Sequence, residues 1–333
     1  MLSVIVPVYN AREFLSRCLE SLLLQGLTDY EIVCVNDGST DGSAEILRRY
    51  ERRYPAVVRV LEQENQGLPV ARNEGMRMAK GDVIAFCDAD DFLIPGAYRY
   101  LLDEFWREDT DLLRFDSLTL DKKMMKKRVE RDDVSGHVVF EGDARVFFAE
   151  RNASLCFVWQ NLYRKSFLTE HGIEFRKLKQ CEDTAFNLDV YMCGPKVKYV
   201  NSNVYRYTTS SGQITRRREP FYLRDVVESY LTLFKTMKDY ALQYPNMEQA
   251  LNRYIEREMV ACFSRVLSAN YSECEWTALK SVLQGMRVLP MHLLGTKSKA
   301  LNAMMANYFS YSVISWMHRK VFVPYVLPRL SRN

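Results

Sequence analysis

The sequence predicts an α/β protein: a mostly parallel central sheet flanked by helices, followed by a C-terminal α-helical region. Three observations predict it. The first 90 residues alternate short apolar runs with stretches of helical spacing. Those runs are nearly continuous rather than alternating. From Phe221 onward, apolar residues recur every three and four positions. Strands covered on both faces read as continuous apolar runs, the pattern of a parallel sheet with helices on each side. With 333 residues, 47% hydrophobic and 26% charged, the chain can fill a large core and is not a disordered polymer.

Each element follows in order. Leu2–Tyr9 (LSVIVPVY) is a strand rather than a leader, because no basic segment precedes it and Asn10 ends the run. Ala11–Leu24 is a helix with Phe14, Leu15, Cys18, Leu19, Leu22 and Leu23 on one face. Glu31–Val35 is a second strand, and Asp41 caps a helix reaching about Tyr54. Val57–Leu61 is a strand, Pro69–Ala79 a helix and Val83–Cys87 (VIAFC) a strand. Leu112–Leu120 reads as a further strand, and the charged segment Lys122–Asp133 as an exposed loop or hairpin. The pattern is irregular from Glu141 to about Tyr207, then helical over Phe221–Tyr244, Met247–Ala269, Glu273–Leu289 and Lys299–Phe322. A boundary near RRREP (216–220) divides a domain of residues 1–218 from a helical region of residues 219–333. No stretch reaches the about 18 apolar residues of a membrane span. The eight cysteines form no CxxC pair and read as free thiols in a reducing, cytoplasmic compartment. None of the four histidines has metal-ligand spacing, and His171 reads as structural.

Ligands of such sheets lie beyond the carboxyl ends of the strands. There the chain carries PVYN (Pro7–Asn10), NDGSTDGS (Asn36–Ser43) and DADD (Asp88–Asp91). Asp88 and Asp90, two apart after a buried strand, point to one side and suit a hard divalent cation. Asp91 reads equally as a member of this group or as a solvated acidic turn before the next helix. Asp37 is placed to accept from the imino N–H of a base such as uracil, while Asp41 is more simply the helix cap. In QGLPVARNEG (Gln66–Gly75), a helix start with Arg72 suits a diphosphate, against the alternative of a surface arginine paired with an acid.

SVIVPVYN, VNDGSTDGS, QGLPVARNEG and GDVIAFCDADD, in this order within 91 residues, resemble the inverting family 2 glycosyltransferases of GT-A, Rossmann-like fold. The likeness is strong over about residues 1–107. It continues more weakly through VWQNLYRKSFL (Val158–Leu168), CEDTAF (Cys181–Phe186) and VYRYTTSSGQIT (Val204–Thr215). The resemblance implies that Pro7, Tyr9, Asn10 and Asp37 surround the base and ribose, and that Arg72 lies by the diphosphate. It implies that Asp88, Ala89 and Asp90 form the DxD motif, with Asp90 and Asp88 at a Mn²⁺ or Mg²⁺ ion. Glu182 and Asp183 match the ED motif, whose Asp is the general base; the alternative is a helix cap or salt-bridge partner over Thr184–Met192. Trp159 is an acceptor-stacking candidate or a core residue. Two departures stand out: Gln160 and Asn161 replace the Asn-Lys that often follows that Trp, and no QxxRW pattern of processive synthases is present. Transfer of one sugar, from a nucleotide-sugar such as a UDP-sugar to a hydroxyl of a glycan or lipid-linked glycan in surface polysaccharide, lipopolysaccharide or capsule synthesis, is therefore expected.

The net charge of +4 is unevenly placed. Residues 276–333 hold eight Lys or Arg and no Asp or Glu, leaving 38 basic against 42 acidic residues elsewhere. Basic residues among Tyr308, Phe309, Tyr311, Trp316, Phe322 and Tyr325 suit an anionic membrane face, which implies a peripheral protein on the inner side of the cell membrane; a solvated helical appendage is the other reading. No nucleic-acid recognition motif accompanies the charge. A nucleotidyltransferase would carry a Gly-rich loop with Lys where this chain has YNAREF, and a non-catalytic scaffold would not need both DADD and the ED pair. No GxGxxG follows a strand, which disfavours a Rossmann dehydrogenase.

Overall fold

The computed structural model describes residues 1–120, 134–151, 154–209, 219–292, 296–318 and 320. The chain forms two compact units, one of residues 1–177 and 182–212 and one of residues 178–181 and 213–333. Segment 122–133 and most of the expected boundary at 216–220 lie outside the described residues.

The first unit is built on a nine-stranded mixed sheet. Strands β1 (Leu2–Val8), β2 (Tyr30–Asp37), β3 (Val58–Gln63) and β4 (Val83–Phe86) alternate with helices α1 (Leu15–Leu23), α2 (Ser43–Arg53) and α3 (Leu68–Met78). The strands pair in parallel in the order β3-β2-β1-β4. Every residue of β1 and β4 is buried, as continuous apolar runs demand. Burying each Val or Ile fully contributes roughly 1.5–3 kcal/mol relative to exposure. Helix α3 rests directly on β1: a Cβ at Gly75 would stand 2.4 Å from Ile5 Cγ2, so only glycine allows this approach.

Beyond β4 come β5 (Phe92–Leu93), α4 (Ala97–Trp106) and the expected strand β6 (Leu112–Leu120). The stretch that looked irregular holds β7 (Val138–Asp143), α5 (Ala144–Arg151), a 3₁₀ turn at Val158–Gln160, β8 (Asn161–Arg164), α6 (Lys165–Glu170), α7 (Glu182–Met192) and β9 (Lys196–Thr208). β8 lies antiparallel between β4 and β6, and β9 lies parallel beside β6. β5 and β7 are antiparallel to opposite ends of β9. His171 ends α6 with Nδ1 by the Phe167 carbonyl at 3.0 Å, a structural role.

The second unit contains α8 (Pro220–Gln243), α9 (Glu248–Ala269), α10 (Glu273–Gly285), α11 (Thr296–Met304) and α12 (Tyr308–Met317). Ser272 and Glu275 form a capping box at the start of α10. The single helix expected over Lys299–Phe322 is instead two. Asn307 stops the run by capping α12, its Oδ1 accepting the Ser310 N–H at 2.9 Å. Among the described residues, no helix is long and apolar enough to cross a membrane.

Candidate active site

Strand order reverses beside β1, which has β2 on one side and β4 on the other. The crevice at the carboxyl ends of β1 and β4 is thus the topological switch point, where open α/β sheets bind ligands. The two strands part after Ile5↔Phe86, and Pro7–Asn10 and Asp88–Asp91 follow on the two sides.

The turn after β1 is laced to the turn after β2. Asn10 and Ala11 donate N–H to Ser39 Oγ (3.1 Å) and Ser43 Oγ (3.0 Å), and Asn10 Oδ1 accepts the Thr40 N–H at 2.8 Å. Asp41 accepts the N–H groups of Arg12 (2.9 Å) and Ser43 (3.0 Å), so it acts one residue before Gly42, the helix cap. Pro7 is buried, whereas Tyr9 is 48% exposed on the rim. Asp37 is 2% exposed, and its carboxylate accepts from Gln63 Nε2, the Gln66 N–H and the Gly67 N–H, each at 2.8 Å. It therefore shapes the turn that leads into α3. Gly38 permits that turn: its φ is +70°, and a Cβ there would lie 2.8 Å from the Asn65 nitrogen.

The DADD residues differ sharply from one another. Asp88 is partly exposed and Ala89 is buried. Burial, then the charge of Asp88, pushes the Asp90 carboxyl up to about 6. The Asp90 carbonyl accepts from Arg17 Nη2 at 2.9 Å, and the Arg17 guanidinium lies 4.5 Å from the Phe92 ring centroid. Asp91 is not a solvated turn. It is fully buried, accepting from Tyr205 Oη (2.8 Å) and the Thr208 N–H (2.7 Å). Burial and its acidic neighbours push it up to about 9.

Arg72 brings the remaining acids together. It is 1% exposed, and its guanidinium bonds Asp88 Oδ1 at 3.0 Å and Asp183 Oδ1, and lies 3.8 Å from Glu182 Oε1. Phe175 supports it from 5.3 Å, within an aromatic cluster with Phe86 and Phe186. Arg72 is neither a surface residue nor paired with one acid alone. Glu182 and Asp183 form the first turn of α7. Asp183 Oδ2 also accepts the Val158 N–H at 3.2 Å. Burial pushes the Asp183 carboxyl up to about 7 against the opposing pull of Arg72.

Trp159 is 2% exposed and stacks on Tyr205 at 4.2 Å and on Phe157 at 4.7 Å. That is a core position, so the exposed member of the stack is Phe157, at 37%. Asn161 is fully buried and donates to the Phe157 carbonyl and Tyr163 Oη. Sequence reading missed Phe157, Tyr205 and Thr208; only the position of VYRYTTSSGQIT within the resemblance hinted at the last two.

Among the described residues, no group of three or more His, Cys, Asp or Glu is arranged to hold a metal ion. Two carboxylates without further protein ligands still fit Mg²⁺ or Mn²⁺, which bind through one or two carboxylates and complete their shell with phosphate and water. The raised Asp90 carboxyl beside Asp88 is the chemistry a cation would relieve.

Comparison with known proteins fits this geometry. The model of the glycosyl transferase family 2 matches residues 3–152. The chain is 31% identical over 261 residues to the putative glycosyltransferase EpsH of Bacillus subtilis, covering 74% of this chain and 71% of EpsH. It is 31% identical over 210 residues to the poly(ribitol-phosphate) beta-glucosyltransferase of Bacillus spizizenii, covering 62% of this chain and 32% of that one. Two further bacterial relatives are spanned over 63% and 76% of their own lengths. The crystal structure of S. aureus TarS 1-349 in complex with UDP-GlcNAc superposes with a TM-score of 0.72 at 20% identity, covering 96% of this chain and 91% of TarS 1-349, and it shares the fold. The family match runs from the first strand through both acidic strand ends of the crevice, and EpsH extends the likeness over most of the chain: it belongs to glycosyl transferase family 2 and is a glycosyltransferase.

Proposed function

We propose that this glycosyltransferase moves a single sugar from a nucleotide-sugar, a UDP-sugar foremost, to a hydroxyl of a cell-surface glycan or its lipid-linked precursor, with inversion and with a divalent cation. The observation that carries the reading is the Arg72 cluster, which joins the donor-side Asp88 to Asp183 from 111 residues away. The named activity of the poly(ribitol-phosphate) relative and the UDP-GlcNAc bound to TarS support the acceptor and donor classes.

The acceptor oxygen attacks the anomeric carbon as the bond to the donor phosphate breaks. The hydroxyl proton passes to Asp183, whose carboxyl near 7 suits a general base; such transfer contributes about 10²–10⁴-fold. Arg72 and the Val158 N–H hold one oxygen each of that carboxylate. Pro7, Tyr9, Asn10 and Asp37 line the base and ribose side, and Phe157, beside Trp159, offers the exposed ring to the acceptor. Asp88 and Asp90 would hold the cation, which when bound offsets the charge growing on the diphosphate. The test is a thermal-shift panel of UDP-, GDP- and dTDP-sugars with Mn²⁺ or EDTA. Ligand that binds only the folded state raises the melting temperature. Stabilisation by one donor that needs both Mn²⁺ and Asp90, and vanishes in Asp90→Asn, is expected; no shift with any donor overturns the reading.

A further inference from the structure

We propose that Tyr205 is a positioning residue that locks the donor carboxylates and the base into one register. The inference rests on the donor and base assignments above. Tyr205 lies on β9, fully buried. Its hydroxyl accepts the Asp88 N–H at 3.1 Å and donates to Asp91 Oδ2 at 2.8 Å. The polar end therefore grips the Asp-x-Asp loop at its first residue and just past its last. β9 takes a second hold on the same loop, since the Thr208 N–H donates to Asp91 Oδ1 at 2.7 Å.

The ring of Tyr205 works on the other half of the site. It stacks on Trp159 at 4.2 Å with an interplanar angle of 11°. Trp159 sits in the 3₁₀ turn whose Val158 N–H donates to Asp183 Oδ2 at 3.2 Å. One side chain thus carries the donor loop on its oxygen and the turn behind the base on its face. A tyrosine that merely filled volume would leave its hydroxyl to any neighbour; this hydroxyl is engaged twice, both times within the DADD loop. The two ends of the residue can be removed separately, and they report on different halves of the reaction.

Tyr205→Phe keeps the stack and deletes both hydroxyl contacts. Titration calorimetry of UDP with Mn²⁺ into the protein, beside steady-state kinetics, reads the effect. Outer-shell partners of metal ligands typically cost 10- to 100-fold in affinity, so the dissociation constant of UDP with Mn²⁺ and the donor KM are expected to rise by about 10- to 100-fold, with kcat close to wild type. Tyr205→Leu also removes the stack. It is expected to lower kcat by about 100-fold in addition, the scale of a misplacement near 1 Å. Melting temperatures of the ligand-free variants separate positioning from a loss of fold. If Tyr205→Phe does not fold, Asp91→Ala removes both oxygens that accept from β9 and is expected to weaken UDP with Mn²⁺ over the same range. Wild-type binding with an unchanged dissociation constant in the folded variants overturns this inference alone. No binding by the wild type overturns the donor-site reading and this inference with it.

Discussion

Arg72 is the residue on which the proposed chemistry turns. A guanidinium at 1% exposure is tolerable only because Asp88, Glu182 and Asp183 surround it, and each of those acids is in turn tolerable because of it. In the proposed mechanism, Asp183 is the member whose protonation state matters to transfer. As a base it must be ionised, so kcat/KM is expected to fall as pH drops through about 7, the value to which burial raises it. A pH–rate profile checks this, and Asp183→Asn is expected to remove that limb and cut kcat by about 10²–10⁴-fold while UDP still binds. The sign for stability is the reverse. With its carboxyl raised, the folded state holds a proton that the unfolded state has released between the ordinary carboxylate range and about 7. This group therefore stabilises fully below that window, and its contribution is lost as pH rises through it. Neither the cluster nor the sign was legible in the sequence: Arg72 is plain in its motif, but the acids that claim it stand 16 and 111 residues away.

At the scale of elements, the legible and the illegible divide cleanly. β1 to β4 and the helices between them were read nearly to their ends, except that α1 begins at Leu15 rather than Ala11, because strands buried on both faces and amphipathic helices each leave a periodicity in the chain. β5, β7, β8 and β9 were not: β8 and β5, with four and two residues, are too short to show a period, and the pairing of β8 with β4 is a long-range fact. The break between α11 and α12 did leave a signal, Asn307 before an apolar run, which helical spacing alone overrode. Asp91 stayed undecided between the acidic group and a solvated turn because its partners lie 114 and 117 residues on. Helix α3 carries a testable constraint. Gly75→Ala sets a methyl 2.4 Å from Ile5 Cγ2 and is expected to destabilise by about 1–3 kcal/mol, as overpacking does, measured by urea denaturation. Because the same helix carries Arg72, the loss of UDP affinity should accompany the loss of stability.

On the scale of the whole molecule, the basic C-terminal region includes a helix, α12, that exposes apolar side chains. α12 exposes Trp316 (56%), Met317 (45%) and Val313 (40%). Lys280, one of the charges counted toward the membrane, is instead occupied structurally, lying 5.0 Å from the Trp276 ring and donating to the Ala306 carbonyl. If this region meets an anionic bilayer, exposed Trp316 is the side chain that enters it. Flotation with liposomes containing phosphatidylserine is expected to recover the wild type and lose most of Trp316→Glu; equal recovery of the two removes the membrane reading.

The lacing of the first two turns has a further consequence. The turns after β1 and β2 and the start of α3, from Asn10 to Arg72, are drawn from one contiguous stretch of chain, whereas Asp183, which Arg72 binds, and the Tyr205 hydroxyl, which holds the DADD loop, arrive from a later one. The candidate site is therefore complete only when two stretches far apart in the chain have folded against each other. Arg72 and Tyr205 are the sutures, and a chimaera that replaces the later piece should work only where it returns an acid to the first and a hydroxyl to the DADD loop.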